Sequence, residues 1–277
     1  MYVFLNDQFV EAEKAVLHIS DLAIQRGYGI FDFFRVRNNV LLYVEDHLDR
    51  FLASAKIMHL ESPYDKGKLL AILKELLTKN NIPNAGIKMI LTGGYSPDAY
   101  QPVKPNFIIQ QSPLEFQDSL TPKSVSIITH EFTRDLPSAK SINYSMGIWL
   151  QKKVVESKAD DVLYHQNGLV TEFPRCNFFI VTADNEVLTP ADDSLKGVTR
   201  KKLLELNGKG FTIREAAVTT DDVHNAKEAF LTSSTKRIQA VVKIDGQPVG
   251  NGQPGEITTQ LLAKLIDIER AYVAARS

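Results

Sequence analysis

The chain has 277 residues, 44% of them hydrophobic and 23% charged, with a formal net charge of -1. This is the composition expected of a soluble globular protein with room for two domains, and it lacks the basic excess that would favour nucleic acid or an anionic membrane surface. Cys176 is the one cysteine, so the sequence offers neither an intrachain disulfide nor a thiolate metal cluster.

The six histidines (His18, His47, His59, His130, His165 and His224) show no metal-ligand spacing, and no metal site is expected. The opening stretch MYVFLNDQFVEAEK turns acidic early and has no apolar leader core. No apolar run reaches membrane-spanning length, and there is no G-x-S-x-G elbow to support serine hydrolase chemistry. A cytoplasmic protein is the expectation.

From the N-terminus, MYVFLNDQFV predicts a hairpin around Asn6-Asp7, and IFDFFRVRNNVLLYV predicts two strands joined at Asn38-Asn39. VEDHLDRFLASAKIM predicts an amphipathic helix, with Leu48, Phe51, Leu52 and Ala55 at helical spacing. DKGKLLAILKELLTKN predicts another, ended by Asn80-Asn81 and Pro83. AGIKMILTGGY is a strand running into Gly93-Gly94, and KPNFIIQQSPL is a further strand. Prolines and polar residues between Ser112 and Lys123 mark a boundary. They separate an N-terminal domain at 1–114 from a C-terminal domain at 123–277, with 115–122 as linker.

The second part opens with the strand SVSIITHEF. An amphipathic helix is expected from Ser145 to Ser157, with Trp149, Leu150, Val154 and Val155 as its apolar residues. Hairpins follow at Asn167-Gly168, within CNFFIVTADNEVLTP, and at Asp245-Gly246. A short helix is expected after Gly197, ending at Asn207-Gly208. TTDDVHNAKEAFLTSST predicts a capped helix and then a strand, and GEITTQLLAKLIDIERAYVAA closes the chain as a helix. The fold class is α+β (mixed α/β), in two domains rich in antiparallel hairpins.

Four stretches could carry chemistry. In RDLPSAKSINY, Lys140 stands among small residues. A solvated loop lysine is the ordinary reading. A partly buried one would lose solvation of its charged form and become a nucleophile toward carbonyls, as a Schiff-base lysine must. In VTEFPRCNFFI, Glu172 is costly to bury without a positive partner, and a protonated pyridine nitrogen is one; alternatively it ends a strand and faces water.

In LKGVTRKK, Gly197 precedes Val198 and Thr199, whose N–H groups and hydroxyl would open a helix and suit one phosphate. A plain threonine cap fits the same pattern. In DHLDRFLASA, Arg50 lies between Leu48 and Phe51, as an arginine with a fixed oxyanion partner would, or as one that snorkels. A lysine, a glutamate, a helix start and an arginine together match a phosphorylated pyridine aldehyde.

Six stretches then carry a family resemblance: SDLAIQRGYGIFDFFRV, EDHLDRFLASA, AKSINY, VTEFPRCNFF, LKGVTR and LTSST, in that order. With them the chain resembles, over nearly its whole length, the fold-type IV pyridoxal-phosphate enzymes. This group, the class IV aminotransferases, includes branched-chain aminotransferases, D-amino acid aminotransferases and aminodeoxychorismate lyases. The resemblance implies an N-terminal α/β domain and a C-terminal pseudo-barrel with pyridoxal 5'-phosphate between them. It also implies a homodimer whose partner subunit completes each site. Lys140 would be the Schiff-base lysine and the proton shuttle, and Glu172 would pair with the pyridine nitrogen. Arg50, Val198, Thr199 and Ser234 or Thr235 would hold the phosphate, and Tyr144 the ring oxygen.

Departures from the family bear on the substrate. Asp98 and Tyr100 stand where D-specific enzymes place an arginine and a histidine on the substrate carboxylate. Phe173, Pro174 and Arg175 replace the small run of branched-chain enzymes after the glutamate, and Lys236 and Arg237 replace small residues after the phosphate-binding hydroxyls. Asp32 and Phe33 follow Phe31 where lyases carry a threonine.

Arg175 and Arg26 are the candidates to hold an α-carboxylate instead. A salt bridge for Arg175 and a clamp on its own loop for Arg26 are the alternatives. Phe31 and Arg35 would line the pocket, and Cys176 is expected as buried packing. The expectation is a variant D-amino acid aminotransferase, using D-alanine or D-glutamate with 2-oxoglutarate or pyruvate. An L-branched-chain aminotransferase and an aminodeoxychorismate lyase stand as alternatives.

Overall fold

A computed structural model describes residues Met1–Ser277. The chain forms two compact units. The first comprises Met1–Gln117 with Ser138–Asn143 and Ala271–Ser277. Its elements are β1 (Tyr2–Leu5), β2 (Gln8–Glu11), a 3-10 turn (Ala12–Lys14), α1 (Leu22–Arg26), β3 (Gly29–Arg37), β4 (Val40–Leu41), α2 (Val44–Ile57), α3 (Lys66–Asn80), β5 (Ala85–Thr92) and β6 (Phe107–Pro113). The strands make a sheet in the order β2-β1-β6-β5-β3-β4, antiparallel throughout.

The period of two along β3 explains the packing. Ile30, Phe34 and Val36 are fully buried and join Leu48, Phe51 and Ala55 of α2 in one apolar cluster. The same alternation places Asp32, also fully buried, in that inward row. Asp65 caps α3 by accepting the Lys68 N–H at 2.8 Å, and Asn81 ends it in the left-handed region that asparagine tolerates.

The second unit comprises Asp118–Pro137 and Tyr144–Arg270. It contains β7 (Lys123–Glu131), α4 (Ser145–Trp149), α5 (Gln151–Glu156), β8 (Asp161–Gln166), β9 (Leu169–Val170), β10 (Asn177–Val181), β11 (Val187–Pro190), α6 (Val198–Leu204), β12 (Ile213–Ala216), α7 (Thr220–His224), β13 (Glu228–Ser233), β14 (Arg237–Ile244), β15 (Gln247–Pro248) and most of α8 (Glu256–Ala274). The strand order is β12-β11-β10-β13-β14-β7-β8-β9, with β15 on β14.

Phe179 and Phe230 stack at 4.9 Å between centroids, and Leu261, Leu265 and Ile266 of α8 pack in the same cluster. Glu228 caps α8, accepting the Ile257 and Thr258 N–H groups at 3.0 and 2.8 Å. A Cβ on Gly255 would lie 1.9 Å from the Glu228 Cδ, so that position requires glycine.

The expected hairpins form, but three pairings are parallel: β11 with β12, β14 with β7, and β7 with β8. Parallel partners need long crossovers, which local turn signals do not reveal. The helix expected from Ser145 to Ser157 breaks at Leu150 into α4 and α5. Leu150 and Val154 are buried, while Trp149 and Val155 are exposed at 71% and 72%. A helical stripe keeps only one of each adjacent pair on its inner face.

The two units divide at Gln117–Asp118, inside the expected 115–122 segment. Ser138–Asn143 and Ala271–Ser277, expected in the second domain, belong to the first unit. Backbone bonds explain the former: Phe31 N–H donates to the Lys140 carbonyl at 2.9 Å, and Ile142 N–H to the Gly29 carbonyl at 3.0 Å.

Phe51 is fully buried and meets the Phe107 ring at 5.9 Å. Phe51→Ala should cost about 3–5 kcal/mol in urea denaturation. A loss below about 1 kcal/mol would contradict the packing described.

Candidate active site

In the first unit, Lys140 lies on a short segment laid against the edge of β3. Ile30 and Ser141 form an isolated antiparallel bridge. Ala139 is fully buried, and the Lys140 N–H donates to the buried Ser54 hydroxyl of α2 at 3.1 Å. Small neighbours are needed because the backbone approaches both a strand and a helix. The half-buried Lys140 places its Nζ 4.6 Å from the centre of the Phe31 ring, and Lys88 Nζ lies 5.4 Å from the same ring. A ring quadrupole attracts a cation at this range and holds the side chain in place.

Arg50 belongs to a buried charge cluster. Its Nε and Nη2 each donate to the Asp32 carboxylate at 2.8 Å, and His47 Nδ1 meets Asp32 Oδ1 at 2.8 Å. The remaining Nη1 has no bond within the protein. Burial raises the Asp32 carboxyl, but the Arg50 guanidinium and His47 overcome this and hold it well below the usual carboxylate range. Burial pushes His47 down, and the Asp32 charge only partly opposes this. In the sequence Asp32 marks a departure from lyases; its pairing with Arg50 was not foreseen. The signal was a charge in phase with a buried row.

In the second unit, Glu172 has a side chain only 6% exposed. Arg134 Nε and Nη2 donate to its Oε1 at 2.8 and 2.5 Å, and the Leu195 N–H donates to Oε2 at 3.0 Å. Arg134 Nη2 also donates to the Pro137 carbonyl at 2.7 Å. The glutamate therefore does not face water. Sequence reasoning missed Arg134, although it opens the RDLPSAKSINY stretch.

Val198 and Thr199 are the first two residues of α6, after Gly197 in extended conformation. A Cβ on Gly197 would lie 2.0 Å from Asn177 Oδ1, while Asn177 Nδ2 donates to the Leu195 carbonyl at 2.7 Å. One asparagine thus fixes the approach to α6, and any side chain at 197 would have to displace its amide. Ser234 and Thr235 follow β13, where Ser233 and Thr235 hydroxyls meet at 3.3 Å. The Thr232 hydroxyl is buried without a hydrogen-bond partner. Tyr144 directly precedes α4.

The residues expected at the substrate divide. Arg175 is exposed, its side chain at 60%, with Asp161 Oδ2 3.9 Å away. Arg26 is exposed at the end of α1 and donates to its own Gln25 carbonyl at 2.9 Å. Arg35 is buried with its guanidinium carbon 5.4 Å from the Phe116 ring centre, beside Arg37 at 5.3 Å. Asp98 closes its own loop: its Oδ1 accepts from Ser96 at 2.8 Å, Tyr100 N–H at 3.0 Å and Gln101 N–H at 2.8 Å. Those bonds, the Gln101 N–H foremost, lower its carboxyl to about 2. Cys176 is buried, and burial pushes its thiol up to about 11.

The Asp32 cluster makes the first unit acid-sensitive. Asp32 and His47 both have folded pKa values below their ordinary 3.8 and 6.5. The unfolded chain therefore binds more protons, and stability falls as pH drops, first below about 6.5 and then below about 4. Asp32→Asn should cost about 3–5 kcal/mol at pH 7 and flatten the lower step in urea denaturation. An unchanged acid limb would contradict this.

A family model described as amino-transferase class IV matches residues 29–244. A D-alanine aminotransferase of Bacillus licheniformis is 30% identical over 272 residues, covering 96% of each chain. A putative branched-chain-amino-acid aminotransferase of Methanocaldococcus jannaschii is 30% identical over 281 residues, covering 98% of each. The structure of a hypothetical aminotransferase from Mycobacterium tuberculosis, in a PLP-bound form, is similar in fold, with a TM-score of 0.82 at 24% identity. That match covers 97% of this chain and 98% of the other. The two-unit fold and these matches agree, and the chain belongs to the class IV aminotransferase family as a pyridoxal-phosphate-dependent aminotransferase.

Proposed function

We propose that this enzyme moves amino groups from D-amino acids, with D-alanine or D-glutamate as donors and 2-oxoglutarate or pyruvate as acceptors. The similarity to D-alanine aminotransferases supports this choice of donor, and the observation that supports a grip on the carboxylate is Arg175. Its guanidinium is exposed and has only a long 3.9 Å contact with Asp161, so it is available to a substrate carboxylate. Asp98, by contrast, is consumed by its own loop and has the wrong charge for that task. Arg26, also exposed, is proposed as a second carboxylate contact, and Phe31 and Arg35 as pocket residues.

The residues fit the cofactor. Lys140 is proposed as the covalent anchor. Arg50 Nη1 in the first unit, and in the second the N–H groups of Val198 and Thr199 with the hydroxyls of Thr199, Ser234 and Thr235, are each proposed as donors to a phosphate monoester. The unpartnered Thr232 hydroxyl, on the strand that leads to Ser234, agrees with a polar ligand nearby. Tyr144 is proposed for the ring oxygen. When bound, pyridoxal phosphate supplies a carbonyl carbon for the amino group and a ring that accepts electrons released at Cα.

Glu172 would keep a proton on the ring nitrogen. Arg134 donates twice to Glu172 Oε1, so the carboxylate is placed as an acceptor rather than a donor. Lys140 would move the Cα proton, a task arginine cannot perform because it does not deprotonate. The reading includes a cytoplasmic homodimer in which the partner subunit completes each site. No helix is long and apolar enough to cross a membrane, and Ile148 and Trp149, exposed at 69% and 71%, offer an apolar face for another chain.

The similarity to a putative branched-chain aminotransferase favours L-branched-chain amino acids as the second reading. Single-turnover spectra separate the two. D-glutamate or D-alanine should bleach the long-wavelength absorption of the bound cofactor, and L-leucine should leave it intact. The reverse pattern would replace the first reading with the second.

A further inference from the structure

Arg175 shares its only ion-pair partner. Asp161 opens β8 with a side chain 2% exposed, and its Oδ2 also accepts Lys236 Nζ at 3.4 Å. Its Oδ1 accepts the Val162 N–H at 3.0 Å. Two cations therefore face one buried carboxylate, leaving one positive charge in excess. The neighbouring Arg237 takes no part, because Glu269 at 2.8 Å and Asp118 at 3.0 Å occupy it. Cys176 lies in the same field: burial raises its thiol most, with Lys236 and Arg175 opposing and Asp161 adding.

We infer that Lys236 is a positioning residue that keeps Asp161 paired and so frees the Arg175 guanidinium for a substrate carboxylate. This rests on the reading that Arg175 grips that carboxylate. A buried carboxylate that loses its last partner is strongly unfavourable, so Asp161 alone would retain Arg175. With Lys236 in place, Arg175 can turn away while Asp161 keeps a cation. The geometry fits such an exchange. Arg175 sits at 3.9 Å, beyond the roughly 2.7–2.9 Å of a charge-assisted hydrogen bond, and is the more exposed cation, 60% against 27% for Lys236.

Steady-state kinetics of the holoenzyme with D-glutamate test this. Lys236→Met should raise KM by roughly fivefold, the scale of a partly exposed ion pair, with kcat little changed. Lys236→Arg should keep KM near the native value. Lys236→Met combined with Asp161→Asn should recover it, because no carboxylate then competes for Arg175. A lysine that only stabilises the fold would instead lower the urea midpoint of Lys236→Met and leave KM for D-glutamate unchanged. An unchanged KM in Lys236→Met, or a double variant no better than the single, overturns the inference. Arg175→Met separates the levels: if it leaves KM unchanged, the carboxylate reading falls and the inference with it. If it raises KM while Lys236→Met does not, the inference alone falls.

Discussion

A carboxylate almost sealed from water, that of Glu172, sets the terms for the second unit. Left unpaired there, its charge would cost several kcal/mol. Arg134 meets it with two nitrogens and Leu195 with a backbone N–H, so it is paired and oriented before any ligand arrives. The Leu195 donor also joins this carboxylate to the stretch that leads into α6. Asn177 holds the Leu195 carbonyl and packs against Gly197, so Glu172 and the start of α6 share one rigid support. Pre-organisation of this kind lets binding energy act on the ligand rather than on rearranging the protein.

The first unit solves a similar problem differently. Asp32 lies in a row of buried apolar residues on β3, where a charge is tolerated only with close partners. His47 and Arg50 come from one face of α2, three residues apart, and meet it together. The result fixes two of the Arg50 nitrogens and leaves one free. The same strand edge receives the Lys140 segment, so the arginine and the lysine are both referenced to β3.

Much of this was legible in the sequence because it is local. Turn pairs such as Asn167-Gly168 and Asp245-Gly246 announce their hairpins, and the 3.6-residue period announces α2, α3 and α8. The family resemblance rested on ordered short stretches and pointed to Lys140, Glu172 and Arg50. Long-range pairing was not legible. The parallel joins of β7 depend on crossovers, and α1 and β12 are too short for a periodic signal. Partners distant in sequence were missed for the same reason: Arg134 for Glu172, and Lys236 for Asp161, 75 positions apart. The approach of Arg35 to Phe116 is likewise a contact no local pattern encodes.

The central claim is that one amine, Lys140 Nζ, carries the cofactor while Glu172 holds its ring nitrogen protonated. Borohydride reduction of the pyridoxal-phosphate-loaded protein, followed by peptide mass mapping, tests it most directly. A single phosphopyridoxyl adduct on the peptide containing Lys140 is the predicted result. An adduct on another lysine, or no adduct in protein that has been incubated with the vitamer, would contradict it.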